Sequence, residues 1–450
     1  MSEQDRKASP LRELLDPFVN IVRAPRALWA VNITYFLEGI AYWGVLTLLL
    51  LHFNETVGLN DAQAGWIVGA FTGGITLAMF FFGELADRWG IRTALILSLA
   101  LMAIGRFLLA ASAGFGGNGI WSPVFFASTG GLFIVILGYG MFQPAEYSAV
   151  RKFTTAKTAA MGYAMLYAVN NLGGFLPGII SPPLRASVGI TGVFWVYTAV
   201  SVLGAFLIVI LLSKKALEQA TAETGADVVF ERGKRTRPPF RFRQWLKEHP
   251  LRDLRFSFFI FALIPVQTLF AHQWLTMPPY VSRAFPGWVS ENMELFVNLN
   301  PILIFVLTPT VAALTSKINV YKMMIAGTVV MAAPTFLLAG GPHIGALFAY
   351  ILILSIGEAM WQPRFLQLAA ELAPAGKTGQ YMGIAQFPWF LTKVLTSTYS
   401  GTMLARYCPD AGPQNTGMLW FIYGCIAILS PILLLLARKW MGNRLQAAHA

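Results

Sequence analysis

The chain has 450 residues, of which 56% are hydrophobic and only 12% charged, with a formal charge of +12. About a quarter of the residues in a soluble protein are charged, so a soluble fold is excluded, and the basic balance reads as membrane topology rather than as affinity for nucleic acid. Two cysteines, Cys408 and Cys425, give no disulfide framework, and the histidines (52, 249, 272, 343 and 449) never fall at zinc-binding intervals.

Residues 1–26 carry mixed charge and lack the apolar core of a secretory signal, so no cleaved leader is expected there. Within them Leu11, Leu14, Leu15 and Phe18 fall at helical spacing, and Leu11–Val22 reads as a short interfacial helix. A span needs roughly 20 apolar residues. Twelve such segments follow, near 27–52, 62–83, 91–113, 124–143, 159–181, 191–213, 254–276, 292–314, 321–339, 344–363, 380–404 and 415–437. The predicted fold class is therefore all-α membrane protein.

All but five of the 33 Lys and Arg residues fall in the terminal segments, the central linker and the loops on one side of this pattern. The exceptions are Arg185, Arg283 and Arg406 on the other side and Arg106 and Lys393 within spans. Basic residues gather on the cytoplasmic face, so both termini are expected in the cytoplasm and the chain in the plasma (inner) membrane. The predicted organisation is a cytoplasmic segment 1–26, a six-helix half 27–213, a cytoplasmic linker 214–253, a second six-helix half 254–438 and a tail 439–450.

The halves echo each other. MFQP (Met141–Pro144) is matched by MWQP (Met360–Pro363), and KTAAMG (Lys157–Gly162) by KTGQYMG (Lys377–Gly383). GELADRWGIRT (Gly83–Thr93) has a fainter counterpart in AALTSKINVYK (Ala312–Lys322). Three matches in one order and register point to duplicated halves around a central cavity, the architecture of secondary transporters.

Polar residues inside the spans carry the functional reading, because a charge at the bilayer centre costs about 2.5–3.5 kcal/mol even on the lenient scale. Glu38 lies within the first span, with Tyr35 and Tyr42 on the same helical face. A buried carboxyl there is a candidate for gaining and losing a proton, with Tyr42 beside it; the alternative is an acid satisfied by neighbouring hydroxyls. Glu358 shares a polar stripe of span ten with Ser355 and Gln362. Lys393 falls mid-way along span eleven, beyond snorkelling reach of either surface, and a switchable Glu358–Lys393 pair is expected between sequence-adjacent spans. Arg106 is expected to snorkel outward, and His272 either lines the cavity or serves structure. Asn171 and Asn300 either face the cavity or bond helix to helix. Glu146 and Arg151 read as gate contacts, and Pro265, Pro301 and Pro309 as points where helices bend.

The loop GELADRWGIRT resembles the G-x-x-x-D-R-x-G-R loop of the major facilitator superfamily, with Ile91 where arginine is common and Arg92 one place on. The resemblance implies a cytoplasmic gate made by Gly83, Asp87, Arg88, Gly90 and Arg92, and a fold of two six-helix halves (the major facilitator fold). Four further stretches resemble the proton-dependent oligopeptide transporter family: EGIAYWG (Glu38–Gly44), LYAVNNLGG (Leu166–Gly174), NLNPILIFVLTP (Asn298–Pro309), and GEAMWQP with ELAP and YMG (Gly357–Pro363, Glu371–Pro374, Tyr381–Gly383). That likeness implies that Glu358 receives a substrate amino group and that Asn171 and Asn300 contact the solute. The chain departs from the family where Gly39 and Gln143 replace basic residues and where Ala271 replaces an acid.

The function expected is proton-coupled secondary transport by alternating access of a short peptide, amino-acid derivative or similar zwitterion, with no cofactor and a monomer in the lipid. Its substrate-binding set is Tyr35, Asn171, His272, Asn300, Glu358, Gln362 and Lys393, and its coupling pair Glu38 and Tyr42. The runner-up is an exporter of drugs or amphipathic compounds on the same scaffold; a non-transporting sensor stands behind it. An enzyme is not expected, since no nucleophile, metal cluster or Walker loop is legible.

Overall fold

A computed structural model describes residues 26–82, 89–154, 159–224, 249–315, 318–372, 381, 384–385 and 387–441. These are helical almost throughout, with no strand among the described residues. Nine of the described helices are long and apolar enough to cross a membrane. The expected interfacial helix at Leu11–Val22 and most of the central linker lie outside the described residues.

In the first half, α1 (Arg26–Glu55), α2 (Asp61–Phe82), α3 (Ile91–Ala111) and α4 (Pro123–Phe153) are followed by a long α5 (Ala159–Leu211). α4 begins where local chemistry supplies what the free helix end lacks. Ser122 accepts from the Phe125 amide at 3.2 Å, with Pro123 in the first turn. Two expected spans merge in α5, and the break between them is Gly189, whose φ of 68° turns the chain where a side chain would be strained. The polar linker begins with another helix, α6 (Lys214–Thr224).

In the second half, span seven is split. α7 (Leu254–Phe261), capped by the Asp253 carboxylate on two amides, ends before α8 (Ile264–Leu275), which opens on Pro265. A proline cannot donate to the preceding turn, so the bend expected at Pro265 is a full interruption. Short helices α9 (Met277–Ala284) and α10 (Met293–Val297) lead into α11 (Leu299–Leu314), which carries Pro309 internally. Then come α12 (Val320–Ala332), α13 (Ile344–Leu372), α14 (Phe387–Tyr407), α15 (Thr416–Ala427) and α16 (Leu429–Leu436).

The halves meet along α2 against α14 and along α5 against α10 and α11. Helices cross closely where glycine removes the side chain: a Cβ on Gly401 of α14 would fall 2.1 Å from the Asp61 carbonyl of α2. Within the first half, Gly173 of α5 lies against Phe36 and Gly39 of α1. One end of the interface is pinned by ion pairs. Arg283, from α9, grips Asp61 with both guanidinium nitrogens at 2.6 and 2.8 Å and also donates to the Cys408 carbonyl. Arg185, on α5, donates to both carboxylate oxygens of Glu294 at 2.5 and 3.1 Å and to the Glu291 carbonyl. Thr47 of α1 bonds Asn298 at 3.3 Å. Part-way along the interface, Lys393 of α14 meets Thr76 of α2.

Candidate functional site

Two groups of buried polar residues stand out, one inside the first half and one facing the interface. In the first, Glu38 is not a lone acid. Arg106 of α3 reaches it with two nitrogens, one of them at 2.7 Å, and bonds Ser201 of α5 at 2.7 Å as well. Both residues are only 2% exposed. Arg106 therefore does not snorkel. Its guanidinium fork matches the carboxylate and finds a better partner inward than water offers at the surface. Tyr42, one turn beyond Glu38, packs its ring on Tyr139 at 5.0 Å, and Tyr139 lies within reach of the Glu38–Arg106 pair. Tyr35 stacks on Phe142 and receives a long 3.5 Å hydrogen bond from Gln143.

The second group lies on α11 and α13. Asn300 donates its amide to Glu358 at 2.9 Å and to Ser355 at 2.9 Å. Ser355 in turn bonds the Ile351 carbonyl, which locks its rotamer. Glu358 is 6% exposed and, among the described residues, has no basic side chain in ion-pair range. Gln362 sits one turn on from it, half-buried. Across the interface, the half-exposed Tyr167 of α5 lies near enough to sense the Glu358 charge, and Asn171 bonds the Tyr167 carbonyl at 2.8 Å. Tyr167 was not legible as a site residue; only its place one turn before Asn171 in LYAVNN signalled it.

Lys393 does not pair with Glu358. Its ammonium donates to Thr76 of α2 at 3.2 Å, so the lysine points across the interface toward α2 instead of toward its own half. Glycine at positions 69 and 73 leaves room for this, since Val394 and Ser397 of α14 pack directly on those two residues. His272 is engaged inside the second half: one ring nitrogen meets Thr276 at 2.8 Å, the other Tyr399 at 3.2 Å, and the ring stacks on Tyr423 at 3.7 Å. Both nitrogens being occupied, the structure does not join it to the Glu358 cluster. Trp274, two positions on, instead faces Trp43 of α1 across the interface at 6.2 Å.

Of the expected gate loop, Gly83, Asp87 and Arg88 lie outside the described residues. Gly90 has a φ of 82° and starts α3, and Arg92 donates to the Leu212 carbonyl at 2.7 Å, tying α3 to the end of α5. Among the described residues no group of His, Cys, Asp and Glu could hold a metal ion.

Comparison with known proteins gives a consistent result. The family model described as Major Facilitator Superfamily matches residues 31–397. "Peptide transporter YePEPT" of Yersinia enterocolitica subsp. palearctica serotype O:3 (strain YE-P4) is 30% identical over 211 residues, which cover 45% of this chain and 40% of that protein's length. "Multidrug resistance protein MdtH" of Yersinia pestis (strain Pestoides F) is 22% identical over 409 residues, 90% of this chain and 92% of that one. A crystal structure of peptide transporter POT in complex with sulfate superimposes with a TM-score of 0.70 at 20% identity, covering 94% of this chain and 96% of that one.

Proposed function

Because the chain belongs to the Major Facilitator Superfamily, and so is a membrane transporter of small solutes and no enzyme, we propose that its cargo is a zwitterion or amine-bearing solute such as a short peptide, carried by proton-coupled alternating access. The observation that carries this reading is the separation of two charges. Among the described residues, Glu358 has a carboxylate with no cation beside it, and Lys393 an ammonium with no carboxylate beside it. An unpaired charge out of water is expensive, and a solute bearing both an amine and an acid supplies both partners at once. Glu358 takes the cationic end, steadied by Asn300 and Ser355; Lys393 takes the anionic end. Gln362, Asn171 and Tyr35 add hydrogen bonds from either half, and Tyr167 joins them.

Coupling is assigned to Glu38 with Tyr42. A proton on Glu38 removes the charge that holds Arg106, so binding and release of that proton loosen and tighten the contact of α1 with α3 and α5. The basic face of the chain lies in the cytoplasm with both termini, and the end pinned by Asp61–Arg283 lies outside. The test is a thermal-shift screen of purified protein, since a ligand that binds only the folded state stabilises it. Dialanine is expected to raise the melting temperature of wild type and to leave Glu358→Gln unshifted. Equal shifts in both proteins would remove Glu358 from the site.

A second reading, export of amphipathic drugs, is favoured by the Trp43–Trp274 contact across the halves and by the length of the MdtH match. Stabilisation by lipophilic cations but not by dipeptides in the same screen would select it.

A further inference from the structure

Glu146, expected only as a gate contact, is fully buried on α4. Its Oε1 touches the Thr34 hydroxyl at 3.4 Å, and its Oε2 has no hydrogen-bond partner among the described residues. No basic side chain among the described residues pairs with it. Thr34 is a poor donor here, because its single hydroxyl proton already faces the Val31 carbonyl at 2.9 Å and the Ala30 carbonyl at 3.1 Å. A carboxylate in that position would be a buried charge with nothing to satisfy it, whereas a carboxylic acid can donate its own proton to the Thr34 oxygen.

The titratable groups facing Glu146 are few. From α1 come Glu38 and the Tyr35 phenol, and Tyr147, next to Glu146 in the chain, acts on that phenol. Thr34 and Glu38 are four residues apart on α1 and so share one face of that helix. The two acids are thus arranged along a single stripe, one ion-paired with Arg106 and the other without a cation among the described residues.

We propose that Glu146 is a second proton-binding site of the first half, holding the proton in the conformation described here and exchanging it with Glu38. This rests on the reading that transport is proton-coupled. The step balances: the O–H bond at Glu146 breaks and one forms at Glu38, Glu146 becomes the carboxylate, and Arg106 loses its carboxylate partner while keeping Ser201. The net charge of the cluster is unchanged, so the transfer moves a charge across the half without bringing one in from water.

The experiment reads protonation directly and needs no substrate. Infrared difference spectra of the full chain in lipid, stepped from neutral to alkaline pH, are recorded for wild type, Glu146→Gln, Glu146→Asp and Glu38→Gln. Wild type and Glu38→Gln are expected to show protonated-carboxyl absorption that diminishes on alkalisation; the Glu146 component of it is lost in Glu146→Gln and displaced in Glu146→Asp, while Glu358, the other buried acid without a cation among the described residues, supplies the remainder in every protein. A band unchanged in both Glu146 variants overturns the proposal, as does a band absent from wild type. Dialanine uptake driven by a proton gradient is measured on the same proteins. If the band behaves as expected but no protein shows gradient-driven uptake, the coupling reading fails while Glu146 stands as a proton site.

Discussion

At the level of single residues, the interior polar groups divide by whether a partner already exists. Glu38 and Arg106 satisfy each other, and removing one partner of a buried pair costs about 3–5 kcal/mol because the other is stranded. Arg106→Met is therefore expected to lower the melting temperature in detergent markedly, and Arg106→Met with Glu38→Gln to recover much of the loss. Equal melting temperatures for the single and double variants would show that the stranded carboxylate is not the source of the damage. Glu358 is the opposite case. Its neighbours are neutral, so Glu358→Gln is expected to keep the fold and its Asn300 contact while abolishing the response to amine-bearing ligands. In the sequence both acids were carboxylates in apolar spans, and it was Glu358, with Lys393, that was expected to find a cation. What separated them was Arg106, 68 positions from Glu38 in the chain, whose reach inward no helical periodicity encodes.

At the level of helices, the sequence marked the bend at Pro265, which splits span seven. The turn at Gly189 between spans five and six and the caps Asp253 and Ser122 also have local causes, though none was singled out beforehand. The pairing of elements was not legible, because apolar faces of membrane helices carry little directional information. The crossing of α14 on α2 depends on Gly401, where a Cβ would meet the Asp61 backbone at 2.1 Å. Gly401→Leu is expected to prise these helices apart, with overpacking worth about 1–3 kcal/mol. Spin labels on the loops before α2 and after α14 would report a longer distance in the variant than in wild type. An unchanged distance would show that α14 shifts along its axis instead. Lys393 belongs to the same interface: sequence adjacency suggested Glu358, but the rotation of α14 turns the ammonium to Thr76.

At the level of the whole molecule, the Asp61–Arg283 and Arg185–Glu294 pairs clamp one end of the halves. The first is nearly dry, at 7% and 9% side-chain exposure, while Arg185 is a quarter exposed and its pair is more strongly screened. Loss of about 3 kcal/mol from the closed state moves the closed-to-open ratio by about a hundredfold. Arg283→Ala is therefore expected to open this end far more than Arg185→Ala. Cys408 is a built-in reporter: its carbonyl accepts from Arg283, it is buried, and burial pushes its thiol up to about 11, so it reacts sluggishly with alkylating reagents in the closed form. Alkylation of Cys408 should accelerate in Arg283→Ala and return toward wild type when Asp61→Arg is combined with Arg283→Asp. Equal labelling rates throughout would mean that the ion pair is a consequence of closure and not its cause.

The sequence by itself determined that this is a helical membrane protein with repeated halves, because span length, charge asymmetry and motif order are carried by short runs of neighbouring residues. It also singled out Glu38, Glu358 and Lys393, since any ionised group in hydrocarbon is conspicuous. Only the tertiary structure decided which of them are satisfied. Glu38 found Arg106, Lys393 turned to Thr76, His272 closed in on Tyr399 and Tyr423, and Glu146 was left with a hydroxyl. The reason is geometric: a polar group's partner is set by how helices rotate and cross, and that follows from packing among residues far apart in the chain.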